Sequence, residues 1–98
     1  MAPTFETPPH VVRDWARLTP ANRRRFSTAR DALVEDLKAG KGFRPGLRIK
    51  GVDGVDGVFE MTWAPDGRAT FAYGPEVIPG ETHIVWRRVG THDILRQP

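Results

Sequence analysis

Three stretches of the chain, residues 48–50, 60–70 and 87–93, collect side chains suited to phosphodiester chemistry. Arg48 and Lys50 stand in one alternating run, Glu60 and Thr62 in a second, Arg68 and Thr70 in a third, and Arg87, Arg88, His92 and Asp93 near the end. Guanidinium groups grip phosphate oxygens in pairs and stabilise the charge of a pentacovalent transition state. A His or Glu beside them can move the proton of an attacking 2′-hydroxyl. Such a set needs neither a metal nor a cofactor. The same residues alternating on strands also suit the solvated face of a half-covered antiparallel sheet. Strand register separates the two readings, because a slip of one residue turns each side chain to the other face.

A second basic cluster, Arg23, Arg24 and Arg25, falls in the first turns of a helix, where positive charge opposes the helix dipole. Phosphate contact is one explanation for that placement, and a solvated helix face is the other. Trp15, Trp63 and Trp86 fall on apolar positions and are expected in the core. His10 and His83 have no ligand spacing with His92, so no metal site is expected.

These residues must be positioned by helices first and strands later. Thr7 before Pro8 and Pro9 predicts a helix start, and Val11, Val12, Trp15 and Leu18 follow at helical spacing. Thr19 and Pro20 predict a second start, with Phe26, Ala29, Leu33 and Leu37 forming one stripe that ends at Gly40 and Gly42. Beyond Gly46 the apolar period changes to two. Strands are expected at Leu47–Lys50, at Val58–Trp63, at Arg68–Tyr73 after the turn "APDG", and at His83–Val89 after "GPEVIPGET". The doublet "GVDGVDG" lacks the alternating oxygen ligands and distal Glu of a calcium loop, and reads as a connection whose glycines supply positive φ. The expected fold is α+β, an N-terminal helical hairpin packed on a four-stranded, mainly antiparallel sheet in one domain over residues 1–98.

Composition narrows the partner. Residues 1–46 hold nine Lys and Arg against five Asp and Glu, and residues 47–98 hold six against seven. With a pI near 10.0, the basic excess suits an acidic partner, either nucleic acid or protein. The chain has no cysteine, which removes disulfides, thiolate catalysis and Cys-based zinc sites. No signal-like N-terminus or membrane-spanning apolar run is seen, so a cytoplasmic location is expected.

In the order and spacing of its elements, from "WARLTPANRRRF" through "GLRIKG", "GVFEMTW", "GRATFAYG" and "VGTHDIL", the chain resembles the RelE/ParE superfamily of toxin–antitoxin toxins. The resemblance implies a ribosome-dependent mRNA endoribonuclease that inhibits translation, without a cofactor and with 2′-hydroxyl attack. It implies that Arg68 contacts the scissile phosphate, that Arg88 stabilises its charge, and that His92 acts on the phosphate or leaving group. Glu60 would be the partner base, and Arg48, Lys50, Arg87, Arg23, Arg24 and Arg25 would hold the RNA backbone. Implied partners are a cognate acidic antitoxin, the ribosome and mRNA, with no membrane and no small-molecule cofactor. The chain departs from the family in two places: Ile94-Leu95 stands where many RNA-cutting members carry a tyrosine, and the second strand is not lysine-rich. Those departures leave two alternatives, a ParE-like inhibitor of DNA gyrase and a non-catalytic nucleic-acid- or protein-binding member of the same fold.

Overall fold

Two proline-led starts and one left-handed glycine set the helical part of the chain. The structure is a computed structural model that describes residues 2–98. Helix α1 spans Pro9–Ala16 and α2 spans Pro20–Ala39. At α2, Thr19 accepts from the Asn22 amide at 3.1 Å, and Pro20 fills the first helical position. The helix closes at Gly40, whose φ of 68° is the left-handed stop that a residue without Cβ adopts at low cost. At α1 the expected cap Thr7 is replaced by Pro8, whose carbonyl takes the Val11 and Val12 amides at 2.9 and 3.2 Å. Arg44 then ties the outgoing chain back to α2 through Asp36, with its Nε 3.0 Å and its main-chain amide 2.8 Å from the carboxylate.

The strands are β1 (Thr4–Glu6), β2 (Lys50–Gly51), β3 (Val58–Thr62), β4 (Gly67–Gly74) and β5 (His83–Thr91), and a short 3-10 helix, His92–Arg96, follows. They form one sheet in the order β1-β5-β4-β3-β2. The expectation of four mainly antiparallel strands is thereby corrected to five in a mixed sheet, because β1 pairs parallel with β5. Thr4-Phe5-Glu6 is too short to show an alternating pattern, and its strand character comes only from the edge of β5. His83 fastens it there, with Thr4 Oγ1 at 2.8 Å from Nδ1 and Glu6 Oε1 at 3.4 Å from Nε2. The first expected strand is also shorter than Leu47–Lys50. Pro45–Leu47 make a 3-10 turn and Arg48 takes a left-handed φ of 48°, so pairing starts at Lys50 opposite Glu60. In the doublet, Gly54 and Gly57 take φ of 78° and 77°, as turn residues do.

The helices cover one sheet face. Val11, Phe26, Ala29 and Leu33 pack against Met61, Trp63, Ala69, Phe71, Ile84, Trp86 and Val89. Phe26 meets Trp15, Trp63 and Trp86 edge-on at centroid distances of 5.8, 6.5 and 5.4 Å, so all three tryptophans serve the core. Among the described residues no helix is long and apolar enough to cross a membrane.

The "APDG" turn is sealed by Trp63, whose indole donates to the Arg68 carbonyl at 2.9 Å. A Cβ on Gly67 would come within 2.5 Å of that indole, whereas one on Gly46 would meet nothing within 4 Å. Gly67→Ala is expected to cost about 1–3 kcal/mol through overpacking, with Gly46→Ala within about 0.5 kcal/mol of wild type, as read from urea denaturation. A second expectation concerns acid. Hydrogen bonds from Arg44 hold the Asp36 carboxyl below its ordinary value of 3.8. Its contribution is therefore fully present above pH 3.8 and is lost as pH falls through the lower folded value. Thermal melts of Asp36→Asn should differ from wild type at pH 6 and converge with it in strong acid.

Candidate nucleic-acid interface

The face away from the helices carries the polar residues of the strands. Register draws Lys50, Glu60, Thr70 and Arg88 into one row across β2, β3, β4 and β5. The next row holds Thr62, Arg68 and Gly90. An irregularity at Thr70/Phe71 pairs Thr70 with Arg88 and Phe71 with Trp86, which leaves Arg87 as an extra residue on β5. A bulge of this kind re-aims side chains and brings Arg87 and Arg88 towards Thr70.

Arg48, Ile49, Lys50, Glu60, Thr62 and Arg68 line a groove of about 380 Å³ at the β2 end of this face. Three cations thus surround one carboxylate. Glu60 is 7% exposed and makes no hydrogen bond or ion pair among the described residues. Arg68 is held by the turn below it, since one of its amino groups points at the carbonyls of Ala64, Pro65 and Gly67 at 3.3, 3.3 and 2.9 Å. Three contacts to a single nitrogen fix the guanidinium plane and leave its remaining donors without a protein acceptor among the described residues. Arg48 reaches the groove because of its left-handed backbone, and Lys50 because it sits opposite Glu60.

The other candidates lie elsewhere. Arg88 donates from Nε to Asp14 Oδ2 at 2.8 Å and from a terminal nitrogen to Oδ1 at 3.4 Å, so α1 draws it away from the groove. Its other terminal nitrogen donates to the Gln97 carbonyl at 3.2 Å, and Arg87 Nε donates to the Pro98 main-chain oxygen at 3.1 Å. His92 opens the 3-10 helix, is exposed, and lines no part of the groove. Arg23 donates to the Trp15 and Ala16 carbonyls at 3.2 and 2.8 Å, where it satisfies the C-terminal end of α1 and stacks on Trp15. That contact accounts for one arginine of the triplet. Arg25 donates to Asn22 Oδ1 at 2.7 Å, and both Arg24 and Arg25 are exposed.

Asp14 is the residue that sequence reasoning missed. Strand β1 pairs with β5 only as far as Val85, which leaves the Arg87 carbonyl and the Val89 amide open at the sheet edge. Helix α1 fills that edge: His10 Nε2 donates to the Arg87 carbonyl at 2.8 Å, and Asp14 Oδ2 accepts from the Val89 amide at 3.2 Å. The two are one helical turn apart. A signal was present, because Asp14 falls three residues after Val11 on the buried side of α1, and a carboxylate there needs a partner.

No protein-family model matches the sequence, and no curated protein matches it either. Solved structures do match. The E. coli DinJ–YafQ toxin–antitoxin complex contains a chain with TM-score 0.70 at 12% identity, covering 97% of this chain and 98% of that one. The YoeB/ParE toxin from Agrobacterium tumefaciens gives 0.67 at 9% identity, covering 91% and 98%, and the RelB–RelE antitoxin–toxin complex from Methanococcus jannaschii gives 0.60 at 17%, covering 92% and 93%. The chain has the RelE-like toxin fold. At these identities the likeness is one of fold, and it extends over nearly the whole chain. In this RelE-like chain the helix-free sheet face is divided between the open Glu60 groove and an Arg87–Arg88 end that the chain itself covers.

The Asp14–Arg88 pair joins a side chain 9% exposed to one 27% exposed. Asp14→Asn leaves Arg88 half-buried without its counter-charge, and is expected to cost about 2–3 kcal/mol, less than a fully buried pair because Arg88 is partly solvated. Asp31→Asn, at the exposed pair with Arg30, should cost under about 1 kcal/mol in the same urea titrations.

Proposed function

We propose that the chain is the toxin of a type II toxin–antitoxin pair and acts as a ribosome-dependent mRNA endoribonuclease. The observation that carries this reading is the groove in which Arg48, Lys50 and Arg68 surround the carboxylate of the largely buried Glu60, which has no hydrogen-bond partner among the described residues, in a chain with the RelE-like fold. In this reading Arg48 and Lys50 hold the RNA backbone, and Arg68 binds the oxygens of the scissile phosphate. Glu60 takes the proton of the 2′-hydroxyl as its oxygen attacks phosphorus. The bond from phosphorus to the 5′-oxygen breaks, a proton is delivered to that oxygen, and the products are a 2′,3′-cyclic phosphate and a 5′-hydroxyl. The pre-set guanidinium of Arg68 meets the charge that develops on the phosphate without reorganising.

His92 is assigned the proton for the leaving oxygen, and Arg88 a share of the phosphate charge. Both lie outside the groove, so each needs the bound RNA, or a shift of the C-terminal residues, to join it. The partners are the ribosome and mRNA as target and an acidic antitoxin that covers the cationic groove. Structural neighbours that are themselves toxin–antitoxin complexes support such a partner. The separation of His92 and Arg88 from Glu60 favours a second reading, a toxin that inhibits DNA gyrase by binding alone.

Primer extension on a defined mRNA in a bacterial translation extract tests the first reading. Wild-type protein should produce new ends that require ribosomes. Glu60→Gln is expected to slow cleavage by about 10²–10⁴-fold and Arg68→Ala by about 10²–10³-fold, with both proteins folded. Intact mRNA together with loss of supercoiling by purified gyrase would replace it with the second.

A further inference from the structure

The row Lys50–Glu60–Thr70–Arg88 is continuous in register but not at the surface. After the 3-10 helix His92–Arg96, whose Ile94 is buried against Gly90, Gln97 and Pro98 run back across the row. The Pro98 main-chain oxygen accepts from Thr70 Oγ1 at 3.0 Å and from Arg87 Nε at 3.1 Å, while the Gln97 carbonyl accepts from Arg88 at 3.2 Å. Thr70 is fully buried on the face the helices do not cover, and these residues lie over it. On the β3 side of this strap lies the 380 Å³ groove with Glu60, Lys50 and Arg68. On the β5 side lies a second depression of about 360 Å³, lined by His10, Arg87, Arg88, Gln97 and Pro98 among others.

We infer that Gln97–Pro98 is an internal plug occupying a phosphate subsite formed by Thr70, Arg87 and Arg88, and that lifting it joins the two depressions into one RNA track. The chemistry of the contacts supports this. A hydroxyl and two guanidinium groups converge on main-chain oxygens, and the same donors suit the oxygens of a phosphodiester. The strap is fastened lightly. The main apolar anchor is Ile94 with half-buried Leu95; Arg96 and Gln97 are exposed, and half-buried Pro98 is held by hydrogen bonds from Thr70 and Arg87. Within the subsite Thr70 stands one strand spacing from Glu60, and Arg87 and Arg88 stand on the strand beyond. The inference rests on the chain binding RNA on this face, but not on its cutting RNA.

The test measures binding of a fluorescein-labelled 2′-O-methyl RNA of about ten nucleotides, a length suited to single-strand sites, which cannot be cleaved by 2′-hydroxyl attack. Three proteins are compared: the full chain, a chain ending at Arg96, and a full-length Gln97→Gly/Pro98→Gly variant that loosens the strap without shortening it. The last keeps the result readable if truncation impairs folding, which circular dichroism melts report. Freed of the plug, the protein should bind with a Kd lower by about tenfold if roughly one full chain in ten is open at rest. The slope of log K against log salt should steepen by about 0.7 for each phosphate gained. In a Thr70→Val/Arg87→Gln background the same changes should bring no gain. A folded, strap-free protein with wild-type Kd and slope would overturn the inference, as would an equal gain in the double-variant background. If the unplugged chain binds more tightly while wild type leaves mRNA intact in extract, the strap stands and the nuclease reading falls.

Discussion

The Asp14 carboxylate is the contact on which both the fold and the candidate site depend. One oxygen accepts the Val89 amide at the open edge of β5 and the Nε of Arg88, and the other receives a second Arg88 nitrogen. A sheet edge with unpaired amides and carbonyls invites pairing with another chain. Here β1 shields the first part of that edge and α1 the second, with His10 taking the Arg87 carbonyl one turn away. The helix thus completes hydrogen bonding that a longer edge strand would otherwise supply. The same contact fixes α1 over the core and draws Arg88 to the β5 side of the polar face.

That placement produces an uneven distribution of charge on one surface. Arg48 just before β2, Lys50 on β2 and Arg68 on β4 line the open groove with Glu60. On β5, Arg87 and Arg88 are engaged by the chain itself. Glu60 is largely buried as a residue, and it lines the open groove together with Arg48, Lys50 and Arg68. Arg68 is rigid because three turn carbonyls hold it, and that turn is in turn held by Trp63 packed over Gly67. The aromatic core therefore helps to position the Arg68 guanidinium at the groove. Comparison with solved toxins of the RelE-like fold gives the frame, while this particular set of residues belongs to the chain.

Local chemistry made much of this legible from sequence alone. Thr19-Pro20 and Gly40 bound α2, the tryptophans lie in the core, "APDG" turns the chain, and "GVDGVDG" is a pair of glycine turns. Each depends on propensities within a few residues: a cap, a fixed proline φ, a positive φ at glycine, or an apolar period. The likeness to RelE-like toxins was likewise carried by the order of these local elements. Tertiary structure alone decided what lies across the sheet. Thr4–Glu6 becomes a strand only because β5 offers an edge and His83 a clasp. Leu47 is lost from the first strand because Arg48 turns left-handed. Arg88, Arg23 and His92 look alike in sequence to the cations of the groove, yet one is bound by Asp14, one closes α1, and one stands on the far 3-10 helix. The physical reason is that a charged side chain goes where a counter-charge or a free carbonyl waits, and the partner is set by register and packing between segments distant in the chain, to which no local pattern is sensitive.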